Sequence, residues 1–254
     1  MSSLNGKFAV VTGSSRGIGR AIALALAREG AAVTVNHARI ESEGEARSAA
    51  EEIESAGGRA RIVRADVSVM SDLDRLILEA ERFGGGLDIV VANAGWSNAF
   101  QPIQETSPDD WDRITSINQR AVFFLLQRAA RVVRENGRVI VISSSMTSSP
   151  YAGTGVYAGA KAATEIYVRT LALELGHRQI TVNAVAPGLT DTAAMRAVVP
   201  EERLSVAVAR TPLGRLGQPE DVAEVVAFLA RPRGALDHGP GRSCRRRCSL
   251  KTHS

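Results

Sequence analysis

Residues 7–19 read KFAVVTGSSRGIG: an apolar, β-branched run stops at a glycine-rich turn and passes straight into alanine and leucine at helical spacing. This predicts a first strand over Lys7–Thr12 and a helix from about Gly17 to Glu29. Gly13 can make the tight turn, Gly17 can bring backbone close to a pyrophosphate, and Gly19 can let helix and strand pack closely. Ser15, Arg16 and Ile18 complete the turn, and the free N–H groups at the head of the helix are offered to an anion. Such a glycine cluster, set between a first strand and its helix, predicts a dinucleotide site.

Outward from this turn, short β-branched runs alternate with longer helical stretches. Strands are expected at Ala32–Asn36, Ala60–Arg64, Leu87–Ala92, Arg138–Ile142 and Ile180–Val185. Helices are expected at about Ser42–Ser55, Asp72–Phe83 and Gly155–Leu175, and in one long stretch from Pro108 towards Glu135. Ser107 should cap that last helix, with Pro108 at its first position and Asp110 completing a capping box. Strands apolar on both faces and joined by helices pair in parallel through right-handed crossovers. The expected fold is therefore α/β: a single-domain, doubly wound, Rossmann-like parallel sheet with helices on both faces. Leu189–Gly217 reads as a long excursion that could cover the ligand.

The 254 residues, 44% hydrophobic and 23% charged, have the composition of a globular chain and exclude collagen and coiled coil. No apolar run approaches the roughly 18 residues of a membrane span, and the start lacks a secretory signal pattern, so a cytoplasmic setting is expected. Net charge is +4. Seven Lys/Arg against Asp237 place +6 of it in residues 231–254, which leaves −2 on residues 1–230. Both cysteines, Cys244 and Cys248, also lie in that last segment, so neither disulfides nor a cysteine metal site is expected in the body.

An acid at the end of the second strand would hold a ribose 2′-hydroxyl and reject a 2′-phosphate. Here the sequence is VTVNHAR, with Asn36 in place of an acid. Arg16 and Arg39 can instead pair with the phosphate, which favours NADP(H) over NAD(H). At the other end of the expected groove, Tyr157 and Lys161 stand four apart on one helix face, and Ser144 follows the Arg138–Ile142 strand. A tyrosine of pKa about 10 needs roughly 4 kcal/mol of phenolate stabilisation to act as a base near neutrality. A neighbouring ammonium in a partly dry cleft, assisted by a positively charged nicotinamide, is expected to supply it.

Across about residues 6–230 the chain resembles the short-chain dehydrogenase/reductase family. The likeness rests on TGSSRGIG, Asp66-Val67, Asn93-Ala94-Gly95, Asn118, Ser144, Tyr157 with Lys161, Asn183, and Pro187-Gly188. The resemblance implies that Asp66 contacts the adenine, that Asn93 steadies the sheet beside the cofactor, and that Lys161 also holds the nicotinamide ribose. It implies that Pro187 and Gly188 pass near the nicotinamide, with Thr190 and Thr192 close to its amide or the diphosphate. Ser144 would hold the substrate oxygen, Tyr157 would exchange its proton, and Asn118 would keep a water in a relay from Lys161. The expected reaction moves a hydride between NADP(H) and a small-molecule carbonyl or alcohol. Trp96, Phe100, Tyr151 and Leu189–Gly217 would line the substrate side. A homo-oligomer, dimer or tetramer, is expected if the C-terminal end is intact; no metal, membrane or specific nucleic-acid partner is.

The end departs from this pattern. After Pro219–Ala230, relatives usually continue with a strand resembling WITGQVxxVDGG, whereas this chain reads LDHGPGRSCRRRC from Leu236. Permitted codons for those residues, read one nucleotide later, encode WITGQVVLVDGG. A frameshift beginning between about Ala230 and Leu236 is therefore expected, and DNA that fails to encode that ending in the second frame refutes it. On this reading residues 1–230 form the catalytic domain and 231–254 an aberrant, disordered basic tail, with the final strand missing or altered. Two alternatives follow: a cofactor-binding protein inactivated by its altered end, and an arginine-rich nucleic-acid arm. The −2 charge of the body opposes the second.

Overall fold

The computed structural model describes residues 3–98 and 100–232. The expectations for residues 233–254, including the frameshift and the tail, lie outside the described residues. Six strands, β1 (Phe8–Val11), β2 (Ala32–His37), β3 (Arg59–Arg64), β4 (Leu87–Ala92), β5 (Val133–Ile142) and β6 (Thr181–Val185), form one sheet in the order β3-β2-β1-β4-β5-β6. Every pairing is parallel. Strand order reverses between β1 and β4, so a crevice opens there at the carboxyl ends of the strands.

Alternation along each strand explains the two-sided burial. Ala9 and Val11 join one core with Ile89, Val91, Ile140 and Ile142, whereas Val10 joins a second with Val90, Val139 and Val141. The first core is closed by α1 (Gly17–Arg28), α2 (Glu43–Ser55) and α9 (Pro219–Ala230). The second is closed by α3 (Met70–Gly84), α5 (Ala121–Val132) and α6 (Gly155–Leu175). In α1 the spacing of Ile18, Ile22, Ala25 and Leu26 puts one apolar face on the sheet. Three further helices, α4 (Pro108–Thr115), α7 (Ala193–Arg196) and α8 (Glu201–Arg210), lie in the connections.

Three expectations need correction. The long helix from Pro108 is broken by a π-helical segment, Ser116–Arg120, and ends at Val132 rather than near Glu135. β5 correspondingly begins at Val133, because Asn136 takes φ 62° and the β4–β5 register shifts between Leu87 and Ile89, letting residues 134–137 bulge out. The capping box at Ser107 is half formed. Ser107 Oγ accepts from Asp110 N at 3.1 Å, but its hydroxyl donates to the Asp110 carboxylate, whose oxygen is thereby drawn to the side chain.

Candidate active site

The glycine turn is fixed from beneath. Gly13 and Gly17 sit at φ 63° and 55°, and a side chain on Gly19 would meet Gly13 O at 2.3 Å and Asn93 Nδ2 at 2.4 Å. Asn93 Nδ2 donates to Thr12 O and Gly13 O at 2.9 and 3.1 Å, while Asn93 N and Ala94 N both donate to Thr12 Oγ1 at 3.0 Å. These bonds weld the end of β4 to the turn. Arg16 precedes α1 without offering a side-chain cap, so the first-turn N–H groups keep their capacity for an anion. A Cβ on Gly17 would lie 3.4 Å from Thr192 Cγ2, which places the segment after β6 over the turn.

Asn36, the cofactor-binding candidate that stands in place of an acid, also braces the glycine turn. It is 1% exposed. Its Oδ1 accepts from Gly13 N at 2.9 Å, and its Nδ2 donates to Val63 O and Ala65 O at 3.2 and 3.0 Å. A carboxylate here could still accept from Gly13 N but could not donate to Val63 O and Ala65 O, so amide chemistry fits the position. Asp66 accepts from Ser68 N and Ser68 Oγ through Oδ1, at 2.9 and 2.7 Å, and Val67 beside it is buried. Arg16 and Arg39 border a depression of about 640 Å³ at the ends of β2 and β3.

At the end of β5 the remaining predicted residues converge. Lys161, 3% exposed, donates from Nζ to Ile142 O at 2.8 Å and lies 5.8 Å from the centre of the Tyr157 ring. Burial pulls its pKa down to about 8. Burial pushes the Tyr157 phenol up, and a hydrogen bond with Ser144 pulls it partly back. The lowering contribution at the phenol comes from Ser144 and not from the amine. Asn118 is fully buried in the π-helical segment. Its Nδ2 donates to Trp96 O at 2.6 Å and to Ile114 O at 2.9 Å, and its Oδ1 accepts from Trp96 N at 3.3 Å. The side chain thus captures a carbonyl of the preceding turn, a local reason for the break in the helix.

Gly95 links the two ends. A Cβ there would meet Asn118 Oδ1 at 2.9 Å and Lys161 Nζ at 3.5 Å, so Lys161 and Asn118 stand beside the Asn93–Gly95 segment that is welded to the glycine turn. Pro187 O accepts from Ser145 N at 2.9 Å, next to Ser144, and the Thr190 hydroxyl donates to Gly188 O at 3.1 Å. Thr192 caps α7 by accepting from Met195 N at 3.1 Å. Of the residues expected to line a substrate, Phe100 is wedged between Gly153, at φ 86°, and the Arg203 guanidinium of α8, 3.9 Å from the ring centre. Arg113 stacks 4.0 Å over Trp96, and Tyr151 is half exposed.

Sequence reasoning missed the bracing of Ser144. Ser143 Oγ and Thr147 Oγ1 both donate to Glu165 Oε1, at 2.7 and 2.8 Å, on either side of it. Glu165 stands four residues beyond Lys161, and that helical spacing was the available signal. Arg203 gave no signal, since its partner Phe100 is distant in sequence.

The family model described as enoyl-(acyl carrier protein) reductase matches residues 13–239. The chain belongs to the short-chain dehydrogenase/reductase family. This short-chain dehydrogenase/reductase is 42% identical over 243 residues to a hydroxynaphthalene reductase-like protein, Arp2, of Metarhizium brunneum, covering 91% of this chain and 90% of that one. A short-chain dehydrogenase of Burkholderia cenocepacia J2315, solved in complex with NADP, is 37% identical with a TM-score of 0.86, over 92% of this chain and 94% of that one. The angucycline C-6 ketoreductase LanV, solved with bound NADP, is 39% identical with a TM-score of 0.86, over 92% of each chain. Among the described residues no helix is long and apolar enough to cross a membrane, and no group of three or more His, Cys, Asp or Glu could hold a metal ion.

Proposed function

We propose that this chain is an NADP(H)-dependent carbonyl reductase, reversible as an alcohol dehydrogenase, with Tyr157 as the proton donor. The observation that carries it is the gathering of Tyr157, Ser144 and Lys161 at the carboxyl end of β5, beside the segment that locks the glycine turn. The residues fit the cofactor on their own evidence: a cradle at Gly13 and Gly17 with positive φ, uncapped helical N–H groups above it, and arginines where a 2′-phosphate would lie.

When bound, NADPH supplies the hydride. The chain's residues manage charge and protons. Ser144 donates to the substrate oxygen as negative charge grows on it, an oxyanion-type contribution. The raised pKa keeps the Tyr157 phenol protonated at neutral pH, ready to give its proton to that oxygen as the C=O bond becomes C–O–H. The resulting phenolate recovers a proton from the Lys161 ammonium, which is replenished from water. Asn118, with every side-chain polar atom committed, positions the Trp96 loop and the wall beside Lys161.

The hydroxynaphthalene reductase-like and angucycline ketoreductase relatives make aromatic polyketide-type ketones the substrate class we favour. NADPH oxidation, followed by absorbance with a panel of naphthalenone, quinone and acyl ketones, tests the reading. Turnover with at least one aromatic ketone is expected; binding of NADPH with no turnover across the panel would refute it.

A further inference from the structure

Three guanidiniums border the depression at the ends of β2 and β3, those of Arg16, Arg39 and Arg64, against two carboxylates, Glu41 and Glu45. Arg64 ends β3 in register with His37, and His37 Nδ1 lies 3.0 Å from Arg39 O, so both arginines leave the same strand-end platform. The three cations are not equivalent. Arg16 Nη1 stands 3.8 Å from Glu45 Oε1, and the Ser15 hydroxyl donates to Glu45 Oε2 at 3.5 Å. Glu45 therefore already faces the two side chains in the glycine turn that would greet an anion. Among the described residues neither Arg39 nor Arg64 forms an ion pair of this kind.

We propose that Arg64 is a specificity-determining residue that reads the cofactor's 2′-phosphate together with Arg39, while Glu45 serves Arg16 as an internal counter-ion. A phosphate bearing up to two negative charges gains more from a cation that no carboxylate holds at ion-pair distance, although Asp72 lies within electrostatic reach of Arg64. At Arg16 it must displace or tolerate Glu45, which returns part of the gain as repulsion. Arg64 and Arg39 therefore carry more of the preference for a 2′-phosphate than Arg16 does. The inference rests on the NADP(H) reading above and deepens it.

Isothermal titration with 2′,5′-ADP and 5′-AMP, the adenosine halves of NADP and NAD, tests it without catalysis. The wild-type chain should bind 2′,5′-ADP more tightly. Arg64→Gln should weaken 2′,5′-ADP about ten-fold and leave 5′-AMP unchanged. Arg16→Gln should cost about two- to five-fold, and Glu45→Gln should tighten 2′,5′-ADP by a similar factor. Arg64→Lys, which keeps the charge but not the planar fork, should fall between wild type and Arg64→Gln. An Arg64→Gln protein with the wild-type preference overturns the inference alone, as does an Arg16→Gln effect larger than that of Arg64→Gln. Loss of both nucleotides in Arg64→Gln would make Arg64 a structural residue and overturn it too. A wild-type chain without preference for 2′,5′-ADP defeats the NADP(H) reading itself, and the inference falls with it.

Discussion

At the end of β5, Lys161 is buried beside Tyr157 and Gly95; at the ends of β2 and β3, Arg16 stands 62% exposed beside a carboxylate that is itself 44% exposed. The same crevice thus has a dry end and a wet end. Burial shifts both ionisable groups of the dry end, lowering the lysine and raising the tyrosine, because little solvent remains to compensate their charge. At the wet end charges are screened, so each contact contributes modestly and salt weakens it. On the proposed function, chemistry falls where one group has a large effect, and recognition is spread over several groups with small ones.

The sharpest way to break this contrast is Tyr157→Phe. Removing the phenolic proton should lower turnover by about a hundred- to ten-thousand-fold while nucleotide affinity stays near wild type. Steady-state kinetics alongside nucleotide titration check it, and substantial turnover in the variant would remove Tyr157 from the proton path.

Next in size is the effect of burying an amine. Lys161 has a folded pKa of about 8 against an ordinary 10.5, so above pH 8 the unfolded chain holds a proton that the native chain has lost. Stability should therefore rise with pH between about 8 and 10.5, by about 3 kcal/mol from this group. Lys161→Met removes the titration. Urea unfolding at pH 7.5, 9 and 10 should show the wild type gaining on the variant; parallel pH profiles would mean that the amine is solvated.

Between the two ends, the weld at Gly19 predicts a steric cost. Gly19→Ala adds a Cβ 2.3 Å from a backbone oxygen, so the overpacking penalty of about 1–3 kcal/mol exceeds the roughly 0.5–1 kcal/mol that alanine gains in a helix. Gly44→Ala in α2, with nothing within 4 Å, should show the gain alone. Thermal melting should move the two variants in opposite directions; a shared sign would mean that the turn gives way without cost. The smallest effect belongs to the wet end: raising salt from 50 to 500 mM should weaken 2′,5′-ADP binding several-fold and scarcely alter stability. Salt-independent binding would place the phosphate in a desolvated site.

Much of this architecture is legible along the chain because it depends on neighbours in sequence. Short β-branched runs apolar on both faces placed the six strands, and period-3.6 apolar patterns most helices, since one peptide's geometry sets which residues share a face. Glycines at Gly13, Gly17 and Gly19 announced the turn, and the four-residue spacing of Tyr157 and Lys161 announced a common face. The break at Ser116–Arg120 was hidden, because Asn118 chooses between helix and carbonyl capture only when Trp96 is there to complete its bonds. The bracing role of Asn36 was hidden for the same reason: it donates to carbonyls at the end of β3 and one residue beyond, and accepts from the glycine turn.

By itself, then, the sequence determined the order and kind of elements, the family, and the residue types able to hold a nucleotide and move a proton, all of which follow from local periodicity and side-chain chemistry. Only the tertiary structure decided how wet each of those side chains is. Solvation is a property of what the rest of the chain packs around a group. That is why the direction of the Tyr157 and Lys161 shifts, the bracing role of Asn36 and the unequal standing of the three arginines emerged only after folding.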